Sequence, residues 1–420
     1  MFQFIKDLFN KPSIKEKPPY YSIVCPYCFE KFEPNDVVFR AAHSKEDHQD
    51  YALQEDEKLN KYREKFNLSP IDEIEAIIHP QSIPQENLII SENVLVGLQD
   101  NYGIVTRKRL CPSCHNELPV PSGKVPSNII SIVGATASGK SVYIASLIHT
   151  LQHTTSTNFA ASCIPLNAEM SRRYRQQYEE PVFDRGSMIP STQKEVMQEP
   201  LIFQFKFIND EIPPITLVFF DVAGEGMVDE SYIELYASHI KNSSGIIFMV
   251  DPLQIRSIRD RLLLNFGNSS EEFAGKYDDS QEIIVTLNST FIAHLDKGVT
   301  DIPTAIVVAK SDMLELLKEE DGQYIGTNSN VFNNVVHNKV FNLDEFNNIN
   351  GEIARFIEKV DRPFKNAVDA YFKKTAFFAV SSLGANPADK QLTGVVNPIR
   401  VDEPFLWLLY EFGYIEGSRS

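Results

Sequence analysis

The sequence predicts an α/β fold: a mostly parallel sheet with helices on both faces, preceded by a small cysteine-organised unit that carries a helical insert. Three observations predict it. Short runs rich in Ile, Val and Phe stand at 129–133, 201–207, 215–220, 245–250, 304–308 and 375–380, and longer stretches separate them. The first run enters Gly134, and after four intervening residues comes Gly139-Lys140-Ser141. Ahead of it lie two C-x-x-C pairs, Cys25/Cys28 and Cys111/Cys114.

The totals set limits on what such a chain does. At 420 residues it has room for two or three domains, and 43% hydrophobic content supplies a core. A formal charge of −17 argues against a protein that lives on nucleic-acid phosphates. No run of 18 apolar residues occurs, so no membrane span is expected. The first residues lack a secretory h-region, which points to the cytoplasm. Five cysteines then read as metal ligands plus one spare, not as disulfides.

In chain order, residues 1–22 form an amphipathic segment and linker. Phe2, Ile5, Leu8 and Phe9 can share one helical face, which suits docking on the body of the protein better than a weak membrane-surface helix. Residues 23–120 read as a zinc ribbon, because two C-x-x-C knuckles supply the four thiolates that a closed tetrahedral Zn²⁺ site takes. The 82 residues between Cys28 and Cys111 exceed the usual spacing, so an acidic helical region at about 43–101 is expected as an insert. Tyr51–Phe66 reads as a charged helix there, and Ile71–Ile78 as a second. His43, His48 and His115 are substitute ligands or surface histidines. Residues 121–128 form a Pro- and Gly-marked linker, and 129–415 the main α/β domain.

Gly134-Ala135-Thr136-Ala137-Ser138-Gly139-Lys140-Ser141 is G-x-x-x-x-G-K-S/T between a strand and a helix, the phosphate-cradling P-loop. Its glycines let backbone N–H groups converge on phosphates, Lys140 reaches the β- and γ-phosphates, and Ser141 Oγ suits Mg²⁺. A polar stretch follows to Glu199, within which Thr192 is the switch-one candidate for Mg²⁺, with Thr154, Thr155 and Thr157 as alternatives. The strand at 215–220 runs into Asp221-Val-Ala-Gly224-Glu225. There Asp221 can hold Mg²⁺ through water, and the Gly224 N–H can meet the γ-phosphate. The strand at 304–308 runs into Ala309-Lys310-Ser311-Asp312. A carboxylate there accepts from guanine N1–H and its exocyclic amine while the lysine stem lies along the ring. Ser381-Ser382-Leu383, after the last strand, is a base-capping loop with Ser382 as its contact. Polar sequence from 326 to Asn350 reads as a loop insertion, Ile353–Phe372 as one amphipathic helix, and Pro404–Tyr410 as a final apolar helix.

This order of strand, P-loop, D-x-x-G, K-x-D and S-S-L resembles TRAFAC-clade GTPases, and more narrowly the bacterial double-GTPase-like families that join a zinc ribbon to such a domain. Cys25-Pro-Tyr-Cys28-Phe29, Cys111–Pro119 and Pro404-Phe-Leu-Trp407 belong to the same likeness. The resemblance implies a Mg²⁺-dependent switch holding GTP or GDP, with a protein effector or activator, in families associated with bacterial conflict and defence. Two departures bear on rate and affinity. Ala309 replaces a side chain that ties the base loop to the P-loop, and Glu225 stands where a glutamine usually orients water. Slow hydrolysis is expected, with Lys140, Glu225 and Thr192 as the catalytic candidates, and Arg185 or Arg172–Arg175 either as a finger in cis or as solvated surface. The alternatives are a P-loop ATPase, and a ribbon scaffold that uses nucleotide as a structural ligand.

Overall fold

The computed structural model describes residues 19–44, 51–134, 138–189, 199–219, 238–266, 298–319, 325–326, 328–385, 392 and 394–419. Its centre is a seven-stranded sheet made of β1 Ile129–Gly134, β2 Ala161–Pro165, β3 Leu201–Phe207, β4 Ile215–Phe219, β5 Gly245–Val250, β6 Thr304–Val308 and β7 Thr375–Ala379. The spatial order is β2-β3-β4-β1-β5-β6-β7. From β4 to β7 the pairings are parallel, with Phe248 of β5 opposite Val133 of β1 and Ile306 of β6. The β2–β3 and β3–β4 pairings are antiparallel. The expected α/β class with a mostly parallel sheet is therefore the fold observed.

The central strands are apolar on both sides because both sides are covered. Successive side chains on a strand point to opposite faces. Ile130 and Ile132 of β1 join one core with Tyr143, Ile144 and Leu147 of α1 (Lys140–Thr150). Ile129 and Val133 join the other, with Ile349, Ile353 and Phe356 of α2 (Leu343–Val360) and Phe364 and Val368 of α3 (Arg362–Tyr371). The C-terminal helix α4 (Glu403–Glu411) lies on the α1 side, and Trp407 is a core residue there.

The second core continues without a break into the cysteine-bearing unit, where Cys25, Phe29, Phe39 and Cys114 belong to the same apolar cluster as Val133 and Phe248. Contacts at the seam are specific. Phe29 stacks on His239 at 4.3 Å, the Asn242 amide donates to the Phe29 carbonyl at 3.0 Å, and Val24 N donates to Ser127 Oγ at 3.2 Å. Burial lowers the His239 pKa to about 3, so its ring stays neutral at physiological pH and the contact is insensitive to it. Ser131 of β1 hydrogen-bonds both His239 and Ser243 beneath the ring.

Four expectations need correction. Ile71–Ile78 is not a helix: Ile77–Ile78 is a strand paired with Phe39–Arg40, and Ile74 bridges Gln54. Prolines at 70 and 80 confine that segment, and its paired β-branched residues favour the extended form. The insert is also not chiefly helical. Beyond the helix Glu57–Lys65 it is a three-stranded sheet of Leu88–Ser91, Val94–Gln99 and Val105–Thr106. Glu92 and Asn93, both at positive φ, make the two-residue turn between its first strands, a conformation usually signalled by glycine. The helix expected over Ile353–Phe372 starts earlier, within the supposed loop, and is two helices. Asp361 ends α2 and caps α3 by accepting from Phe364 N at 3.1 Å, with Pro363 in the first turn. Finally, the polar stretch before Glu199 contains the edge strand β2 and a helix, Ala168–Tyr174, that continues in wider turns to Asp184.

Candidate functional site

The phosphate loop is set by β1 and α1. An added Cβ on Gly134 would lie 2.7 Å from the Met249 carbonyl of the neighbouring strand, so only glycine lets β1 and β5 approach here. Gly139 sits at φ 85°, the left-handed region, directly before α1, and among the described residues a Cβ there would meet Lys310 Cε, at 4.0 Å. The Lys310 stem thus lies beside Gly139. Lys140 is buried and donates from Nζ to the Gly134 carbonyl at 2.9 Å, which places the ammonium across the loop. The buried Ser138 and Ser311 hydroxyls have no hydrogen-bond partner among the described residues, so polar groups are available beside the loop. Ser141 begins the exposed side of α1's first turn and is half-buried. Ala135, Thr136, Ala137, Thr192, Asp221, Gly224 and Glu225 lie outside the described residues.

The K-x-D element leaves the end of β6. Lys310 adopts φ 49° and precedes the short helix Ser311–Leu314. Its Nζ donates to Asp251 Oδ2 at 2.6 Å. Asp251 is fully buried at the end of β5, and its other oxygen accepts from Leu253 N at 2.9 Å. Asp312 Oδ1 accepts from Ser381 Oγ at 2.6 Å, and Ser381 Oγ accepts in turn from Gly384 N at 3.0 Å. Ser382 contributes its carbonyl, which accepts from Ser146 Oγ of α1 at 2.7 Å. The loop after β7 is therefore fastened to Asp312 by one serine and to the P-loop helix by the next.

Asp251 and Ser381 are the residues that sequence reasoning missed. The signal for Asp251 was a strand ending in Asp-Pro beside the P-loop strand. For Ser381 the signal was a tandem serine of which only the second was chosen. Alanine at 309 leaves no polar side chain to anchor the Lys310–Asp312 loop. The Ala309 N–H bonds the Val250 carbonyl at 2.9 Å, and the Asp251–Lys310 ion pair anchors the loop instead.

Gly384 closes this loop at φ 79°, and a Cβ there would fall 2.2 Å from the Asn397 carbonyl. Gly384→Ala is expected to cost about 1–3 kcal/mol of stability and to weaken nucleotide binding by displacing Ser381 from Asp312. Thermal unfolding and calorimetry of the variant check it. An unchanged melting temperature would contradict the close approach.

Three of the arginines weighed as fingers, Arg173, Arg175 and Arg185, hold carboxylates. Arg173 binds Glu199 at 2.9 Å and the Pro200 carbonyl, while Arg175 and Arg185 both bind Glu180, at 3.1 and 3.0 Å. Thr154, Thr155 and Thr157 ride the helical run that starts at Lys140, roughly 20 Å from its N-terminus at 1.5 Å per residue. Thr155 is committed there to Asp402 at 2.7 Å.

The cysteine site comes together from both knuckles. Cys25 and Cys114 Sγ lie 3.7 Å apart, as do Cys28 and Cys111, and all four sulfurs fall within 4.8 Å of one another. A tetrahedral Zn²⁺ with bonds of about 2.3 Å sets its sulfurs about 3.8 Å apart, so the set fits zinc and is far too wide for disulfides. The knuckles are congruent. The residue after each second cysteine, Phe29 or His115, is left-handed, at φ 62° and 54°. The first cysteine's carbonyl accepts from that residue's N–H, at 2.9 and 3.0 Å. Ser113 N and the Asn116 amide donate to Cys111 and Cys114, each at 3.4 Å. Of the histidines considered as ligands, His43 bonds Asp100 at 2.8 Å and His115 bonds Asp56 at 2.8 Å, while His48 is outside the described residues. Asp56 also accepts from Arg40 at 2.7 Å and caps the helix Glu57–Lys65. It therefore braces the second knuckle against the insert.

A glycine-lined phosphate loop between a strand and a helix, with a K-x-D loop beside it on the same sheet edge, defines a P-loop nucleotide-binding protein. The chain belongs to the Double-GTPase 2 family, whose model matches residues 128–353, more than half of its length. It is similar to SaeC of Mycolicibacterium smegmatis, provisionally named an ESX-1 scaffolding and assembly protein. The two are 24% identical over 324 residues, 73% of this chain and 80% of that protein. Among solved structures, the Arl6 BBS3 small GTPase of Trypanosoma brucei with a bound nucleotide analogue is 14% identical. That match covers 69% of this chain and 99% of the other, with a TM-score of 0.28. The GTP-bound GTPase-like domain of Ski7 from S. cerevisiae is also 14% identical, covering 69% of this chain and 51% of that one, with a TM-score of 0.32. Among the described residues no helix is long and apolar enough to cross a membrane.

Proposed function

We propose that the chain is a Mg²⁺-dependent guanine-nucleotide switch with slow intrinsic hydrolysis, carrying a structural zinc in its four-cysteine site. The observation that carries the guanine reading is the buttressed Asp312. Ser381 fixes one oxygen of its carboxylate, so the other can accept from a base, and Lys310 is held beside the P-loop by Asp251. Adenine has no donor pair for a carboxylate, whereas guanine has one. Gly134–Ser141 would hold the phosphates, with Lys140 moving from the Gly134 carbonyl to them. Ser141, Asp221 and Thr192 would hold Mg²⁺, which supplies charge neutralisation at the β- and γ-phosphates when bound. Gly224 would meet the γ-phosphate. Glu225 in the water-orienting position is repelled by that phosphate, which supports slow turnover and an activating protein partner.

Calorimetry with GDP and ADP tests the base reading, and equal affinities or tighter ADP would replace it with an ATPase. Lys140→Ala is expected to lower affinity for either nucleotide by roughly 100-fold, since a charged hydrogen bond contributes about 1.5–3 kcal/mol. Retained affinity in that variant would overturn the site assignment.

A second reading, a scaffold with nucleotide as a fixed ligand, is favoured by one observation: the cysteine unit shares its core with a face of the sheet. The provisional name of the mycobacterial relative points the same way. Nucleotide that cannot be exchanged, with no turnover even beside a partner, would favour it over the switch.

A further inference from the structure

We propose that His149, His153 and Glu179 form a second transition-metal site, for a borderline dication such as Zn²⁺, that clasps the C-terminal end of the P-loop helix to the segment leading toward residues 190–198. Among the described residues, the other cluster of possible ligands is the four cysteines, and these three residues have no part in the nucleotide or cysteine sites. His149 lies in the last turn of α1, and His153 one turn further on, where the helix widens over Leu151–Thr155. Glu179 enters from the wide-turned run Arg175–Asp184.

The geometry is close to a metal's. A tetrahedral ion with bonds of about 2.0–2.2 Å sets its ligand atoms about 3.3–3.6 Å apart. His149 Nδ1 already stands 3.4 Å from Glu179 Oε1, and His153 Nε2 stands 4.0 Å from the same oxygen. All three ligand atoms lie within 4.8 Å of one another. The remaining adjustment falls on His153, whose side chain is 61% exposed and whose ring lies 4.4 Å from that of His149. The partly covered His149 is fixed by stacking on Phe183 at 3.8 Å and 12°.

Neighbouring charge is already matched. Glu180 is occupied by Arg175 and Arg185, so Glu179 is the carboxylate presented to the pair of rings. Two imidazoles and one carboxylate suit Zn²⁺, Ni²⁺ or Co²⁺, not Mg²⁺ or Ca²⁺, which take oxygen sets. Three protein ligands leave room for water or a further ligand, unlike the closed cysteine site.

The test is Zn²⁺ titration of the full chain against a competing chelator, with Co²⁺ as spectroscopic probe. Cobalt in the cysteine site gives intense thiolate charge-transfer bands, whereas cobalt on nitrogen and oxygen does not. Wild type is expected to take up a further equivalent without those bands. His153→Ala, on an exposed side chain, and Glu179→Gln are each expected to weaken that uptake by at least about tenfold, since loss of even an outer-shell partner does as much. Thiolate bands and GDP affinity measured on the same samples should be unchanged, which reports intact folding and separates this site from the nucleotide reading. Identical stoichiometry and affinity in wild type and both variants would overturn the proposal, leaving a histidine–glutamate hydrogen-bonded surface.

Discussion

Replacing Cys111 by serine, or stripping zinc with a chelator, is expected to unfold the N-terminal unit and to lower the stability of the sheet domain with it. The physical reason is the size of the contribution. Structural zinc in four-ligand peptides supplies about 10–16 kcal/mol of apparent binding free energy near neutral pH, and all of it is folding free energy when the unfolded chain has no site. Backbone pairing between the two knuckles is slight. The hairpin Ile23–Val24 with Lys31–Phe32 and the Arg109–Leu110 pairing are two-residue strands, far short of what a free-standing sheet needs. Because Phe29 and Phe39 belong to the cluster that covers β1 and β5, the loss spreads to the nucleotide domain. The fifth cysteine is the control. Cys163 lies on the edge strand, and burial pushes its pKa to about 12, so Cys163→Ala should leave metal content and melting behaviour nearly intact. Thermal unfolding with and without chelator decides the matter, and a chelator-resistant melting curve would contradict the structural role.

Asp312→Asn is expected to lower GDP affinity by at least about 100-fold and to create binding of xanthosine diphosphate. The substitution is nearly isosteric. The asparagine carbonyl can keep the hydrogen bond from Ser381 Oγ, now 2.6 Å, while the amide presents donors where a carboxylate oxygen had accepted. Against guanine the amide faces two donors, and buried donors left unpaired carry a large penalty. Against xanthine, which offers a carbonyl in place of the exocyclic amine, the pairing is restored. The Asp251–Lys310 pair sits on the other side of the loop and is untouched, so the fold should hold. Parallel calorimetry with both diphosphates on both proteins reads the switch. A variant that loses both ligands equally would place Asp312 in the scaffold and not against the base.

Much of this architecture was legible because the buried strands are continuous apolar runs. β1, β3, β5 and β6 announce themselves by Ile, Val and Phe, and the P-loop by glycines that its geometry demands. What escaped reading has local causes. The edge strand β2, Ala161–Pro165, faces the core only on alternate residues and carries Ser162 and Pro165, so it reads as loop. The Glu92–Asn93 turn uses left-handed residues without a glycine. The α2–α3 break depends on Asp361 accepting from a backbone N–H while Pro363 allows no simple continuation, two effects that a window of apolar spacing averages away. Asp251 and Ser381 carry only faint local signals for another reason: their contacts with Lys310 and Asp312 form between strands that the chain visits far apart.

Phe29 and Tyr62 of the cysteine unit touch the main domain at two telling places. Phe29 meets His239, just after the stretch holding Asp221–Glu225, and Tyr62 donates to Glu199 at 3.1 Å, just after the stretch holding Thr192. Were nucleotide binding to act on either contact, a metal held by the four cysteines would resist it. Binding at the two sites is then linked, and linkage is reciprocal. Whatever factor a bound nucleotide applied to the affinity of the four-cysteine site for its metal, the metal would apply to nucleotide affinity.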